Sequence, residues 1–244
     1  IQPTKVEEEK IKELINILEK AGIDYDLVYP FEDKVVKQDK TLYHYDDDEK
    51  YFVCGSYSLT RNVYKERKEA VFSLDKYKFD DFITIFGSEN FVNHDAKIVN
   101  YNKIIWEDDE YFLRPVNDDK SFNGGVYSKN DVINCNEDVI VAKVKKINKE
   151  HRFFIVDGKI ATASLYKVNG SISTSDVIDE GAIEFAESMI KKFNFPGFVI
   201  DIATIGNEYK IVELNCLNAS GFYDINLYKL IDSVERYYSK IIDI

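Results

Sequence analysis

Three side chains that carry oxygen ligands stand close together late in the sequence. Asp201 lies in "GFVIDIATI", and Glu213 and Asn215 lie in "YKIVELN" shortly afterwards. Carboxylate and amide oxygens without cysteine or histidine suit Mg²⁺ or Mn²⁺ better than zinc. Whether these three groups can share an ion depends on how the two segments pair.

The two segments are predicted to form a β-hairpin with a three-residue loop at 206–208. In that register Asp201 is opposite Glu213, and Asn215 follows two residues along the same face. The other face receives four apolar residues, Ile200, Ile202, Val212 and Leu214. A slip of one residue would mix the two faces, which the side-chain period of two penalises. Opposed carboxylates repel unless a cation lies between them, so the hairpin predicts a metal site. The alternative is a solvated strand end.

The remaining patterns predict an α+β protein. Helices are expected where apolar residues recur at helical spacing: 4–21, 179–195 and about 224–242. Strands are expected over 25–31, from 50 into Gly55-Ser56, over 110–115 and 138–147, and in a hairpin around Asp157-Gly158. Strands dominate from about residue 97. We therefore expect a smaller N-terminal α/β domain over 1–95 and a larger α+β domain over 96–244.

Composition excludes several classes of protein. The 244 residues carry a formal charge of −12, which argues against a nucleic-acid partner. Three cysteines without paired spacing fit a reducing compartment, and neither a signal peptide nor a run of about 18 apolar residues is present. A cytoplasmic protein without a membrane span is expected. Neither GxGxxG nor GxxxxGK[ST] occurs, so Rossmann and P-loop folds are unsupported.

With Asp201 and the Glu-x-Asn of 213–215, the sequence resembles an ATP-grasp ligase. The segments "FLRPVNDDKSFNGGVYS" (112–128) and "VIVAKVKKINKEHRFFIVDGKIATASLY" (139–166) resemble a small clade, frequent in phage and bacterial genomes, named for two arginines and a lysine. The resemblance covers about residues 95–240. It implies the ATP-grasp fold: two α+β subdomains whose antiparallel sheets grip the nucleotide, preceded here by a smaller α/β pre-grasp domain.

The resemblance also implies roles for individual residues. The catalytic residues implied are Arg114, Lys120 and Arg152. Those implied to bind ATP are Arg114, Lys120, Ala142, Lys143, Val144, Glu150 and Asn215. Those implied to bind two Mg²⁺ ions, with Mn²⁺ as a substitute, are Asp201, Glu213 and Asn215. From the residues alone, a surface lysine or an ordinary ion pair is the alternative for each basic side chain.

The leading hypothesis is an ATP-dependent carboxylate–amine (or thiol) ligase. A carboxylate substrate attacks the γ-phosphorus of ATP, giving an acyl-phosphate and ADP, and an amine acceptor then displaces phosphate. The acceptor is an amino acid, a peptide or a protein. Two other hypotheses stay open: a non-catalytic ATP/ADP-binding module acting as sensor or inhibitor, and a carboxylate hydrolase using Asp201 and Glu213 as an acid/base pair.

Overall fold

The computed structural model describes residues 1–3, 7–116, 122–131 and 133–242. These residues form five α-helices: α1 Glu8–Ala21, α2 Tyr57–Glu66, α3 Phe79–Phe86, α4 Glu180–Ile190 and α5 Leu227–Ile242. Gly22 ends α1 in the left-handed conformation with φ +69°, as its position after the apolar stripe predicts. Among the described residues, none of the helices combines the length and the apolarity that crossing a bilayer requires.

Eleven strands in the described residues form three sheets. The strands are β1 Val28–Phe31, β2 Lys34–Lys37, β3 Lys97–Asn100, β4 Glu110–Pro115, β5 Gly125–Ser128, β6 Asp138–Lys143, β7 Lys149–Val156, β8 Lys159–Val168, β9 Ser171–Ser175, β10 Gly197–Ile205 and β11 Glu208–Asn215. The first two form a hairpin, and the others form a four-stranded sheet, β3-β6-β4-β5, and a five-stranded sheet, β11-β10-β7-β8-β9. Neighbouring strands are antiparallel throughout these sheets. The α+β class is confirmed.

The five-stranded sheet is covered on both faces, which explains the continuous apolar character of β7 and β10. On one face, Phe153, Ile200 and Ile202 form a core with α4 and α3. On the other face, Phe154 and Val199 pack with apolar residues of α1 and α5. Along this second face, the next residue after Phe154 is Arg152 and the next after Val199 is Asp201. The face therefore changes from apolar to polar there, although both polar residues are buried. That change marks where the polar site begins.

One strand prediction is wrong. Residues 51–54 form no strand, and α2 begins at Tyr57. The Ser56 side chain accepts a hydrogen bond from the backbone N–H of Leu59 at 3.3 Å and so caps this helix. The Gly55-Ser56 pair is therefore a helix start, rather than the end of a strand.

Asn218 ties the N-terminal segments to the loop that follows β11. Its Oδ1 accepts from the Phe72 N–H at 2.7 Å, and its Nδ2 donates to the carbonyl oxygens of Val53 and Ala70 at 2.8 and 3.1 Å. The Asn218 side chain is buried, so the Phe72 N–H and the Val53 carbonyl depend on it for their hydrogen bonds, while the Ala70 carbonyl also accepts from the Val53 N–H. The predicted boundary near residue 95 remains a prediction, with contacts of this kind crossing it.

Replacing Asn218 by alanine is expected to destabilise the fold strongly. The substitution leaves the buried Phe72 N–H and Val53 carbonyl without partners and leaves the Ala70 carbonyl with only the Val53 N–H, which costs about 2–4 kcal/mol of unfolding free energy. Urea denaturation followed by circular dichroism measures this loss. Asn207→Ala, in the exposed turn between β10 and β11, is the matched control. Equal midpoints for the two variants would contradict the role given to Asn218.

Candidate functional site

The register of the β10–β11 hairpin places the two predicted carboxylates opposite each other. Asp201 pairs with Glu213, and Val199 pairs with Asn215, as predicted. The turn, however, has two residues rather than three, because Ile205 pairs with Glu208.

A β-bulge between Asp201 and Ile202 reconciles the shorter turn with the predicted pairing at the site. Ile202 pairs with Ile211 and Asp201 with Glu213, so Val212 is the additional residue on β11. Ile211 consequently joins the buried core beside Ile200, although the uniform register puts it on the opposite face. Between the bulge and the turn, the predicted pairing is therefore wrong by one residue. Beyond the bulge it is correct, and Glu213 lies on the same side of the sheet as Asp201.

Arg152, Asp201 and Glu213 form a row across three adjacent strands, β7, β10 and β11. Arg152 pairs with Asp201 in one ladder, and Asp201 pairs with Glu213 in the next. The guanidinium binds Asp201 through two hydrogen bonds, Nε to Oδ1 at 2.8 Å and Nη2 to Oδ2 at 2.7 Å. Nη2 also lies 3.9 Å from Oε1 of Glu213. One permanent cation is thus shared between two carboxylates.

Burial differs sharply along this row. Asp201 is fully buried, whereas the Glu213 side chain is 47% exposed. Burial raises the pKa of Asp201 to about 6, against the lowering effect of Arg152 and with a further rise from Glu213. The two hydrogen bonds from Arg152 favour the ionised form of Asp201 against this burial. For Arg152, burial alone lowers the pKa, but the bond to Asp201 outweighs it and the net direction is upward.

The oxygens of this row fit a hard divalent cation. The side-chain Nδ2 of Asn215 donates to Glu213 Oε1 at 3.0 Å. The side-chain oxygen of the same amide, Oδ1, is left able to face an ion. Oδ1 of Asp201 accepts from Arg152 and keeps a second lone pair, whereas Oδ2 accepts from both Arg152 and the Tyr166 hydroxyl. In the described part of the chain, no cluster of three His, Cys, Asp or Glu side chains forms a metal site. A Mg²⁺ ion here therefore depends on Asn215 and on ligands from outside the protein.

Glu150 shares the face of Arg152 on β7, but its oxygens are already engaged. Tyr166 donates its hydroxyl to Glu150 Oε2 at 2.5 Å, and Lys167 Nζ lies 3.3 Å from both Glu150 oxygens. The Tyr166 hydroxyl also lies 3.2 Å from Asp201 Oδ2. Tyr166 therefore links the two buried acidic residues. A nucleotide-binding role for Glu150 stays a prediction.

Two tyrosines at this site have no place in the sequence motif. The rings of Tyr166 and Tyr223 stack with centroids 4.9 Å apart and planes inclined by 21°. The Arg152 guanidinium carbon lies 5.1 Å from the Tyr166 centroid and 5.2 Å from the Tyr223 centroid. No spacing in the sequence signals this contact, because β8 and the loop after β11 meet Arg152 only through the fold.

The other predicted residues lie away from this row or outside the described residues. Arg114 lies on β4 of the four-stranded sheet, where its guanidinium carbon is 5.8 Å from the Phe79 ring centroid. Lys120 lies outside the described residues. Ala142 is buried on β6, where it pairs with Phe112. The structure thus brings together Glu150, Arg152, Asp201, Glu213 and Asn215 on one sheet, and leaves Arg114 and Ala142 on the other.

Residues 144–148 connect the two sheets, and the predicted adenine-binding segment leads into them. The Lys143 N–H donates to Asp95 Oδ2 at 3.1 Å, and Asp95 also binds Lys145. A cavity of about 690 Å³ lies against this segment. It is lined by Asp108, Asp109, Glu110, Ser128, Lys129, Asn130, Lys143 and Val144. This cavity lies on the four-stranded sheet, whereas the Arg152 row lies on the five-stranded sheet.

Two antiparallel sheets joined by a short segment are the arrangement that the sequence resemblance implied. Residues 91–232 match a family model for an ATP-grasp domain, the second family of the clade named for two arginines and a lysine. Because this match covers more than half of the sequence, the chain belongs to that family. The resemblance inferred from the sequence motifs is confirmed. A search of curated proteins by sequence finds no match.

Solved structures share the fold at low sequence identity. An ATP-grasp RimK domain protein from Sphaerobacter thermophilus is 12% identical, with 89% of each chain covered and a TM-score of 0.58. The D-alanine–D-alanine ligase from Coxiella burnetii is 12% identical, with 93% of this chain and 79% of that chain covered and a TM-score of 0.53. The protein spans 64% of the corresponding ligase from Bacillus anthracis (14% identity, 68% of this chain covered, TM-score 0.48). These likenesses concern the fold.

Proposed function

We propose that this protein is an ATP-dependent ligase that joins a carboxylate to an amine or thiol through an acyl-phosphate, releasing ADP and phosphate. The observation that carries the proposal is the row of Arg152, Asp201 and Glu213, with Asn215 beside it, in a chain of the ATP-grasp family. The guanidinium of Arg152 lies next to side-chain oxygens that can bind a metal ion. This combination suits ATP, whose negative charge must be neutralised while its γ-phosphoryl group is transferred.

In this proposal the side chains position and neutralise rather than form covalent bonds. Glu213, Asn215 and Asp201 would hold Mg²⁺, which would offset the negative charge of the phosphates. Arg152 turns its remaining N–H groups toward the transferring phosphoryl group, and Arg114 binds phosphate oxygens from the four-stranded sheet. Lys120 is proposed to bind phosphate oxygens as well. The segment Ala142, Lys143 and Val144 contacts the base. The carboxylate substrate attacks the γ-phosphorus, ADP leaves, and the amine then displaces phosphate.

Membership of the ATP-grasp family disfavours the hydrolase hypothesis, because an acid/base pair of carboxylates would need no ATP. The non-catalytic nucleotide-binding module shares the site with the ligase, so only an experiment separates these two functions.

Nucleotide binding and product formation together test the proposal. ATP with Mg²⁺ is expected to raise the melting temperature, and EDTA is expected to cancel the shift. Mixtures of amino acids and peptides are then incubated with ATP, and condensed products are sought by mass spectrometry alongside ADP release. Binding without acceptor-dependent ADP would support the nucleotide-binding module instead. Failure of ATP to shift the melting temperature at all would reject both functions.

A further inference from the structure

The backbone at Tyr223 adopts a conformation that tyrosine ordinarily avoids. Its φ is +49°, in the left-handed region that favours glycine. For a bulky aromatic residue this conformation stores strain, and such strain persists only where the surroundings hold the residue in place. A glycine at position 223 would adopt this conformation without strain. The sequence nevertheless has a tyrosine at 223.

Hydrogen bonds on either side of Tyr223 hold its backbone. The Phe222 N–H donates to Oε1 of Glu7, just before α1, at 2.6 Å, and the Asp224 N–H donates to Ser164 Oγ on β8 at 3.2 Å. Phe222 is itself buried in the core between α1, α5 and the sheet. These anchors come from distant parts of the chain. Together they direct the Tyr223 ring onto Tyr166 and over Arg152.

The second ring is fixed independently of the first. Tyr166 is 3% exposed, and its hydroxyl is hydrogen-bonded to both Glu150 and Asp201. Lys167 balances the charge of Glu150 from the neighbouring position. The Tyr166 ring therefore has a defined place beside Arg152 whether or not Tyr223 is present.

The guanidinium between these groups has few ways to move. Three of its N–H groups have partners among the described residues: two bind Asp201, and Nη1 lies 3.5 Å from the Gly221 carbonyl oxygen. Hydrogen bonds to Asp201 restrain rotation in the guanidinium plane, and the two rings restrain tilting out of it. The remaining N–H groups of the Arg152 guanidinium are therefore held in a single orientation.

We propose that Tyr166 and Tyr223 are positioning residues that hold the Arg152 guanidinium in one orientation beside Asp201 and Glu213. The inference rests on the proposed ligase function for its catalytic consequence, since an Arg152 that is oriented before ATP binds loses less entropy when it meets phosphate. Glu150 then acts by fixing Tyr166, rather than by contacting the nucleotide.

The test separates the ring of Tyr223 from its strained backbone. Tyr223→Gly and Tyr223→Asn remove the ring while both new residues accept a positive φ. We expect kcat/KM for ATP to fall about 10- to 100-fold in both variants, with the melting temperature nearly unchanged because relief of strain offsets the lost stacking. Tyr223→Phe should rescue most of the activity because the stacking ring remains.

A control variant measures how the relief of backbone strain at a position far from Arg152 affects activity. Lys40, in an exposed turn near β2, also has a positive φ, of +68°. Lys40→Gly should leave kcat/KM unchanged. Wild-type kcat/KM in Tyr223→Gly and Tyr223→Asn would overturn the proposal, as would a failure of Tyr223→Phe to restore activity.

A spectroscopic readout makes the inference independent of the ligase activity. In protein labelled with ¹⁵N-arginine, the Nε–H of Arg152 should exchange slowly with solvent and should exchange faster in Tyr223→Gly, with Tyr223→Phe resembling the wild type. If no acceptor supports ATP turnover, the proposed function fails while the exchange rates still decide the positioning role. Equal exchange rates in wild type and Tyr223→Gly would overturn that role.

Discussion

Glu213→Gln is expected to reduce Mg²⁺-dependent ATP turnover by about 100-fold or more, because a neutral amide is a weaker ligand for a hard cation. The fold should survive, since the Glu213 side chain is 47% exposed and glutamine has the same length. The measurement is ADP release at saturating Mg²⁺, with the melting temperature recorded for the same preparations.

The same strand provides a matched control for this substitution. Glu208 lies at the turn end of β11, exposed and 3.2 Å from Lys210. Glu208→Gln removes one charge from the same strand without touching the row, so turnover should remain unchanged. Turnover in Glu213→Gln equal to that of Glu208→Gln would refute the assignment of Glu213 as a metal ligand.

Arg152→Met is expected to have the largest effect on stability of any single substitution at the site. It leaves the carboxylate of Asp201 buried without its cation, which costs about 3–5 kcal/mol of unfolding free energy. Adding Asp201→Asn removes the uncompensated charge, so the double variant should regain a large part of that loss. Urea denaturation of the two single variants and the double variant gives the coupling free energy.

An exposed ion pair of the same geometry isolates the contribution of burial. Arg236 binds Asp232 on α5 through two contacts of 3.0 Å, but these side chains are 74% and 55% exposed. Arg236→Met should cost less than about 1 kcal/mol because water screens the pair. If Arg152→Met costs no more than Arg236→Met, the charge of Asp201 is solvated and the buried-pair interpretation fails.

Local patterns predicted the central hairpins because their turns and faces are encoded by adjacent residues. Asp157-Gly158 predicted a tight turn between β7 and β8, and both residues have a positive φ, of +51° and +69°. Asp201 opposite Glu213 followed from keeping apolar residues on one face. The turn length did not follow, because a bulge at Val212 absorbs one residue and leaves no mark in the alternation.

Contacts between distant segments set the remaining features. Arg152 was expected to face phosphate, and its bond to Asp201 arises only because β7 lies beside β10. Tyr166 and Tyr223 reach Arg152 from β8 and from the loop after β11, with no periodicity that links them. The segment 51–54 has the composition of a strand, but its backbone bonds singly to Gln2 and Ala70 rather than to a ladder. Apolar composition alone did not distinguish this segment from a true β-strand.

The bulge on β11 has a second consequence, which concerns association between molecules. β11 is the outermost strand of its sheet, and such a strand can recruit a strand from another chain. The irregular backbone around Val212 interrupts the even spacing that recruitment requires, and the Phe91–Val92 segment already occupies the rim at Ile211. A version of the protein with a regular β11 would therefore lose the alignment of Glu213 and, at the same time, become more prone to aggregate through this rim.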